Sequence, residues 1–529
     1  MSADLTTDLT TDLSADLTTN ATARPHLQPG VGRPRSRWAM VTASAALAGV
    51  LGLEYAVIAQ PGPLPGRAPV LYLTLGWWAA AALGVVLLVR VAPRRVAAGL
   101  LLAGAVAVHV LAITSGPRMS DDLYRYVWDG RVQASGIDPY RYATDSPELA
   151  HLHDAWLWPD DGGCAAIGRG PGCTRLNYPR AHTIYPPVAQ AYFTVVHYLP
   201  GPPREHKVQF YAALASLALT VLLMRTLAAS GRDPRLAAAY AWTPLAGLDI
   251  GIDAHVDVVA ALAAVGGLAL LSPRIGDLRT RDMRTRDLRI GDPGGSPWRP
   301  SARRAAAAGA LLGVAVAVKL YPALLLPAAA RRHRLVVLTS AVGVVVLSYL
   351  PHVAVVGTDV LGFLPQYLSV EGYQDGGRFL LLGLIGLTGA SAKAVAGVVL
   401  AAVMIAIWRS GPDRVGVERG ALWLFGTAFL VATPVQPWYG LLLVVLAVLA
   451  GRLEWLAVAA APYILYMALF TDLAVTDNIA RPGGYLLGAA VVGVVGAGRS
   501  VVSARARSSR PGSCRRRGRC RSFRSPWPR

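Results

Sequence analysis

The stretch SDDLYRYVWDGRVQASGIDPYRY, from Ser120 to Tyr142, is a polar segment that follows three apolar runs. Asp121 and Asp122 are adjacent, and aromatic residues and Arg131 come soon after them. The Asp-Pro-Tyr sequence near its end is typical of a turn. Carboxylates suit sugar hydroxyls or a metal, aromatic rings suit sugar faces, and an arginine suits a phosphate. The alternative is an acidic, solvated loop.

The rest of the chain is strongly apolar. Apolar residues make up 54% of the 529 residues and charged residues 16%, against about 25% charged in a typical soluble domain. Apolar runs of about 14 to 22 residues alternate with short basic loops, as in proteins that cross a membrane many times. The sequence therefore predicts an all-α, polytopic transmembrane bundle of about 12 to 14 spans with a large extracytoplasmic loop.

The distribution of positive charge predicts the orientation of this bundle. The formal net charge is +20, and eleven arginines lie between Arg499 and Arg529. Most other basic residues fall in loops assigned to the cytoplasmic side, which is the positive-inside pattern. This placement argues against a nucleic-acid partner and favours anionic lipid headgroups. Both termini are expected to be cytoplasmic in a multi-pass protein of the cell membrane.

Composition divides the chain into three parts. Residues 1–37 contain no apolar run and are predicted to form a disordered acidic leader. Residues 38–498 form the transmembrane domain, which contains a low-complexity cytoplasmic linker at 274–302 with a five-residue repeat. Residues 499–529 form a basic cytoplasmic tail.

Polar breaks between the apolar runs are predicted to share the outer face. Three spans from a cytoplasmic start place the Asp121 stretch outside, in a loop of about seventy residues, a length that is usually functional. Parity also places outside the breaks around His255, Lys319, Tyr373 and Trp438. Such one-sided clustering of acids, aromatic residues and cations is hard to explain by helix packing alone.

Two of these breaks carry charges with competing interpretations. Asp249, Asp253 and Asp257 follow a four-residue spacing, so they would share one face of a helix; the alternative is a solvated hairpin tip. Lys319 is costly within a membrane unless it is wet or paired, and an anionic phosphate would pair it. Its alternative is snorkelling to the interface.

Four cysteines are present. Cys164 and Cys173 lie in the large outer loop, where a disulfide is expected; two free thiols are the alternative. Cys514 and Cys520 lie in the basic tail and are expected to be reduced, without a metal site.

The outer face suits a reaction between a lipid-linked phosphosugar and a hydroxyl acceptor. In direct displacement at the anomeric carbon, a carboxylate removes the acceptor proton, cations stabilise the departing phosphate, and the configuration inverts. The adjacent carboxylates fit the role of base. The candidate phosphate-binding cations are Lys319, Arg131, Arg378 and Arg481.

Five segments carry a resemblance to a known family. They are SDDLYRYVWDGRVQASGIDPYRY, IYPPVAQAYF, AHVDVVAAL, VKLYPALLLP and PVQPWYG. In their order and shared side they resemble the signature segments of polyprenyl-phosphate-mannose-dependent mannosyltransferases of the glycosyltransferase C superfamily. They are most similar to the actinobacterial alpha-1,6-mannosyltransferases of lipoglycan assembly. The resemblance runs from about Trp38 to Gly498.

This resemblance implies an extracytoplasmic active site, a polyprenyl-phosphate sugar donor and a glycan or glycolipid acceptor of the cell envelope. It implies that Asp121 or Asp122 is the base, with Asp122 slightly favoured. Val256 stands where similar segments often carry asparagine. Metal independence is implied, so no cofactor is expected, although Asp121, Asp122 and Asp257 together suit a divalent ion. The expected substrate-binding residues are Tyr124, Tyr185, His255, Asp257, Trp438 and Tyr439.

Two other functions compete with sugar transfer. A transporter or flippase of lipid-linked sugars also needs intramembrane charges and broken helices. No inverted repeat is evident, however, and alternating access does not require so long an outer loop. An envelope scaffold without chemistry gives no reason for the one-sided acids.

Overall fold

The computed structural model describes residues 34–61, 68–90, 94–272, 299–470 and 477–508. The acidic leader before residue 34, most of the repeat linker, Cys514 and Cys520 lie outside the described residues. All regular secondary structure within the described ranges is helical, as the sequence predicts.

The described ranges contain fourteen principal helices. They are α1 (Pro34–Ile58), α2 (Ala68–Arg90), α3 (Arg94–Ala112), α4 (Asp122–Ala134), α5 (Pro187–Tyr198), α6 (Glu205–Ala229), α7 (Asp257–Leu271), α8 (Ala302–Val318), α9 (Arg334–Val356), α10 (Gly389–Arg409), α11 (Val417–Ala432), α12 (Gly440–Ala450), α13 (Ala461–Phe470) and α14 (Asp477–Ser508). Short helical turns lie between several of them, among them Leu245–Ile252, Tyr321–Leu325, Leu364–Val370 and Pro437–Tyr439.

Length and composition make several of these helices suitable for crossing a membrane. Five helical segments in the described ranges are long and apolar enough, and four shorter apolar helices accompany them. Helices α9 and α10 are the least buried of the five, and they carry exposed Leu347, Val355 and Val398. Exposed apolar side chains of this kind suit a lipid environment. The larger count of 12 to 14 spans stays a prediction.

Glycines allow close packing in the middle of the bundle. Helix α8 packs between α7 and α9. A Cβ at Gly309 would lie 2.4 Å from the carbonyl oxygen of Val337, and one at Gly313 would lie 2.5 Å from that of Ala341. Small residues let helix backbones approach in this way, which is typical of membrane bundles.

The stretch that begins at Ser120 is a buried helix rather than a solvated loop. Helix α4 buries Leu123, Tyr126 and Trp128, and it packs against α5. At the crossing, a Cβ at Gly130 would lie 2.6 Å from the carbonyl oxygen of Phe193. The acidic residues therefore lie at the N-terminal end of an element that is fixed on one side by the bundle.

The apolar helices are interrupted at three places. Ala254 has φ 54° and Thr433 has φ 39°, so both adopt the left-handed conformation that ends a helix. Lys319 is extended, with φ −146° and ψ 140°, directly after α8. These interruptions leave His255, Lys319 and Trp438 close to helix ends. His255 stacks on Trp438 and lies near Tyr126 of α4, and Lys319 lies near Asp257, the first residue of α7.

Candidate active site

Asp122 is an acidic residue with two polar side chains close to its carboxylate. It is the first residue of α4, and its carboxylate accepts a hydrogen bond of 2.7 Å from Nδ2 of Asn177. Its Oδ2 lies 3.7 Å from Nδ1 of His255. The side chain retains 17% of its exposure, so it is reachable and held on two sides.

Asp121 faces a different part of the chain. Its Oδ2 accepts a hydrogen bond of 2.5 Å from Nη2 of Arg169, and its side chain is 41% exposed. Arg169 lies between Cys164 and Cys173, which form a disulfide. Burial raises the pKa of the Asp121 carboxyl, and the charge of Arg169 lowers it in part. Asp121 is thus already engaged by a cation of the disulfide-closed loop.

His255 is fully buried at the base of the same site. Its ring stacks on Trp438 with 3.8 Å between ring centroids and 18° between planes. Its Nδ1 lies 3.5 Å from the hydroxyl of Tyr126. Burial lowers the pKa of His255 to about 4, so its ring is neutral at physiological pH.

Two polar atoms of this stack have no protein partner. His255 Nε2 and Trp438 Nε1 are buried and make no hydrogen bond within the described ranges. Leaving a buried polar atom without a partner is costly, so such atoms call for an explanation such as a bound molecule. The His255 ring lies beside Asp122 and stacks on Trp438, so these two atoms are candidates for contacting a substrate.

Lys319 supplies the positive charge of the site. Its Nζ lies 3.4 Å from Oδ2 of the buried Asp257, whose Oδ1 accepts a hydrogen bond of 2.7 Å from the hydroxyl of Tyr321. Nζ also lies 5.2 Å from the ring centroid of Tyr185 and 5.6 Å from that of Tyr439. The ammonium group is therefore held between one carboxylate and two aromatic faces.

Tyr185 connects the acidic and the basic side of the site. Its ring lies under Lys319, and it packs edge-on against Tyr126 with 5.1 Å between centroids. Burial raises the pKa of Tyr185, and the nearby charge of Asp122 raises it further. The charges of Asp122 and Lys319 also both reach His255. Asp122, His255, Asp257 and Lys319 therefore form one group, called the central cluster below.

Tyr439 extends the central cluster towards the segment after α9. Its hydroxyl forms a hydrogen bond of 2.7 Å with that of Tyr367. Glu371 follows in the same segment and accepts a hydrogen bond of 3.0 Å from Nε2 of Gln436. Arg378 is engaged by Glu371, with 3.7 Å between Nη2 and Oε2. Arg378 thus lies beyond the aromatic side chains and not in direct contact with Lys319.

Other residues expected at the site have different surroundings. Arg131 donates hydrogen bonds to the carbonyl oxygen of Leu152 at 2.9 Å and to the carboxylate of Asp154 at 2.7 Å. It lies near the end of α4 and therefore faces the segment that follows this helix. These contacts fix the loop and do not join Arg131 to the central cluster. Tyr124 packs edge-on against Trp156. Arg481 lies exposed on α14.

The aspartates after Leu248 do not share a face as a regular helix would require. The segment Leu245–Ile252 is a π-helix, and the left-handed Ala254 ends it. Asp249 accepts a hydrogen bond from Tyr463, Asp253 accepts one of 2.6 Å from the backbone N–H of Arg118, and Asp257 pairs with Lys319. The four-residue spacing therefore predicts the wrong arrangement, because it assumes a helical turn of 3.6 residues.

Sequence reasoning missed three polar residues of the site: Asn177, Arg169 and Tyr321. Asn177 and Arg169 belong to the long segment between α4 and α5, where neither spacing nor hydropathy predicts which residues face the central cluster. Tyr321 lies two residues after Lys319, so the polar break itself was the available signal. Within the described ranges, no three His, Cys, Asp or Glu residues are grouped so as to hold a metal ion.

A comparison with known families points to sugar transfer. A family model described as glycosyltransferase family 87 matches residues 183–434, just under half of the chain. The matched segment contains Tyr185, His255, Asp257 and Lys319, and it begins after Asp122. No curated protein matches the chain, and no solved structure does. The similarity to family 87, together with the apolar helices, supports a membrane glycosyltransferase.

Proposed function

We propose that the protein transfers a glycosyl unit, a mannosyl unit in the first instance, from a polyprenyl-phosphate donor to a hydroxyl of a cell-envelope glycan or glycolipid. The reaction takes place on the outer face of the membrane and inverts the anomeric configuration. The observation that carries this proposal is the central cluster, in which one reachable carboxylate and one ammonium group flank the same buried aromatic side chains.

Asp122 is the proposed base. A general base must be reachable by the acceptor hydroxyl and must be held in place. Asp122 meets both conditions, since it is partly exposed and is held by Asn177 on one side and lies near His255 on the other. Asp121 is the weaker candidate because its carboxylate already forms an ion pair with Arg169.

Lys319 is the proposed cation for the donor phosphate. Among the described residues, the carboxylate paired with it is that of Asp257, at 3.4 Å, which also accepts a hydrogen bond from the hydroxyl of Tyr321. An ammonium fixed in a site with little water stabilises developing negative charge more strongly than one in bulk water. The aromatic rings of Tyr185 and Tyr439 line its other sides and suit the apolar part of a lipid-linked donor.

The reaction balances without a further reagent. The acceptor oxygen attacks the anomeric carbon while Asp122 takes the acceptor proton, so the new C–O bond forms on the face opposite the leaving group. The bond between the anomeric carbon and the phosphate oxygen breaks, and polyprenyl phosphate departs towards Lys319. One base and one cation suffice for this step.

The Asp122→Asn variant tests the proposal. Because asparagine cannot take the proton, we expect sugar transfer to fall by about 10²–10⁴-fold. The measurement uses purified protein in lipid vesicles, a panel of polyprenyl-phosphate sugars and a radiolabelled donor. Thermal unfolding in detergent shows whether the variant is folded.

Asp145→Asn is the matched control. Asp145 lies in the same outer region, and the ion pair that it forms joins it to the exposed Arg180 at 3.9 Å. We expect this variant to retain transfer. The proposal is contradicted if Asp122→Asn transfers as fast as the parent protein, or if the parent moves lipid-linked sugar across vesicles without transferring it.

A further inference from the structure

An exposed tyrosine stands beside the central cluster. Tyr178 is 52% exposed, and its backbone has φ 43°, in the left-handed region. A bulky residue seldom adopts this conformation, and such strain persists only where the surroundings impose it. An exposed aromatic ring held in a strained conformation is unusual for a residue that serves only to fill space.

Tyr178 follows directly after a residue that binds the proposed base. The preceding residue, Asn177, donates the 2.7 Å hydrogen bond to Asp122. Burial of its inner part raises the pKa of Tyr178, and the charges of Glu371 and Asp122 raise it further. The charges of two carboxylates therefore reach Tyr178, one from the central cluster and one from the segment after α9.

A row of aromatic side chains leads from Tyr178 into the site. Tyr178 packs on Phe363 with 4.8 Å between centroids, and Phe363 is followed by Tyr367 at 6.4 Å. Tyr367 is hydrogen-bonded to Tyr439, whose ring lies near Lys319. Of the four, Tyr178 is the member that presents most of its ring to solvent.

The backbone fixes this row against the outer loop. Gly362, directly before Phe363, has φ 52°, and a Cβ there would overlap the carbonyl oxygen of Thr183. Only glycine permits this approach. The segment after α9 is thereby locked beside the chain that carries Tyr178, so the spacing between the two rings is defined by backbone contacts.

We propose that Tyr178, supported by Phe363, is the stacking platform for a sugar ring of the acceptor glycan. This inference rests on the proposed glycosyl transfer and deepens it. A sugar ring presents C–H groups to an aromatic face and hydroxyls at its edge, which matches an exposed aromatic ring that the charges of Asp122 and Glu371 reach. A lipid tail or a phosphate does not match, because neither is stabilised by nearby carboxylates.

The platform is tested by comparing a variant that lacks the aromatic ring with one that keeps it. Tyr178→Leu removes the aromatic face, and Tyr178→Phe keeps it. The probes are octyl α-mannoside, octyl β-glucoside and octanol, and the binding of each to purified protein is measured by thermophoresis. For Tyr178→Leu we expect an about five- to tenfold weaker binding of at least one octyl glycoside. Tyr178→Phe is expected to bind within about twofold of the parent protein, and octanol binding should not change.

Tyr198→Leu is the matched control, because Tyr198 is 70% exposed on α5 and lies outside the row. The inference is overturned if Tyr178→Leu binds both glycosides as the parent does, if octanol binding falls equally, or if Tyr198→Leu produces the same loss. Sugar transfer is measured in parallel with an octyl glycoside as acceptor. If the parent protein transfers no sugar, the proposed reaction is overturned. If Tyr178→Leu binds the glycosides as the parent does, only the platform is overturned.

Discussion

Lys319 shows how single residues make a buried charge tolerable. A lysine in an apolar bundle is costly unless a counterion and hydrogen bonds accompany it. Asp257 supplies the counterion, and Tyr321 supplies the hydrogen bond that keeps the carboxylate in place. The ammonium group is thus held in position while one side remains aromatic and apolar. A phosphate that enters the site would share Lys319 with Asp257.

Removing the hydroxyl of Tyr321 should weaken this arrangement. Tyr321→Phe keeps the ring that packs against Tyr439 but leaves Oδ1 of Asp257 without its donor. We expect the efficiency of transfer with respect to the donor to fall about tenfold, the equivalent of one hydrogen bond of about 1.4 kcal/mol. The measurement is kcat/KM with donor concentration varied.

A second tyrosine provides the comparison. Tyr463→Phe removes a hydroxyl that donates to the buried Asp249, which is not a partner of Lys319. We expect it to lower the melting temperature while leaving the donor KM unchanged. Equal effects of both variants on the donor KM would show that Tyr321 acts only through general stability.

The sequence predicted the chemistry of these residues better than their partners. The breaks at Lys319 and Trp438 were recognisable because a charge or several prolines interrupt an apolar run. Asp122, His255 and Asp257 were named for the same reason. Arg131 was assigned to the site although it binds Asp154, because pairing between distant loop residues leaves no periodic signal. Asn177 and Arg169 were missed for the same physical reason.

At the scale of elements, α4 determines where the proposed base lies. The sequence predicted a polar outer stretch, but it forms a helix that packs against α5. Tyr126 is buried in the main core, and Trp128 is buried on another face against Leu149, Leu157 and Leu176. Acidic, basic and aromatic residues are mixed in this stretch and hid its burial, because tyrosine and tryptophan count as polar or apolar according to context.

Gly130 is the residue on which the contact between α4 and α5 depends. In Gly130→Ala the added Cβ would lie 2.6 Å from the carbonyl oxygen of Phe193, so the helices must separate. We expect a loss of about 1–3 kcal/mol in stability and a larger relative loss of transfer, since Asp122 moves with α4. Thermal unfolding in detergent and the transfer assay measure the two effects.

Gly99→Ala is the control for this substitution. Gly99 lies in α3, and a Cβ there would have no neighbour within 4 Å. Replacing a helical glycine by alanine in open space is expected to be neutral or stabilising by up to about 1 kcal/mol. If Gly130→Ala is tolerated as well as Gly99→Ala, the close helix contact is not required.

At the scale of the whole molecule, the proposal requires the central cluster to face outwards. The basic loops Gly231–Arg235 and Arg409–Arg414 are then on the cytoplasmic side, as the positive-inside pattern predicts. The fold brings Asp122, His255, Lys319 and Trp438 together, and the sequence analysis assigned all four to one side by counting spans.

Cysteine labelling tests this orientation. In a Cys514→Ser/Cys520→Ser background, we expect a cysteine at Gly170 or Tyr198 to react with an impermeant maleimide in intact cells. A cysteine at Gly231 or Gly411 should react only after the membrane is opened. The reverse pattern would place the central cluster on the cytoplasmic side and contradict the proposed location.

The stacked pair of His255 and Trp438 gives the site its own optical reporter. An indole in face-to-face contact with imidazole changes its emission when the imidazole gains a proton or is displaced. Titration with a non-hydrolysable donor analogue should therefore alter the fluorescence of Trp438. Subtracting the emission spectrum of Trp438→Phe separates the emission of Trp438 from that of the other twelve tryptophans. Occupancy of the site becomes readable without any radiolabel.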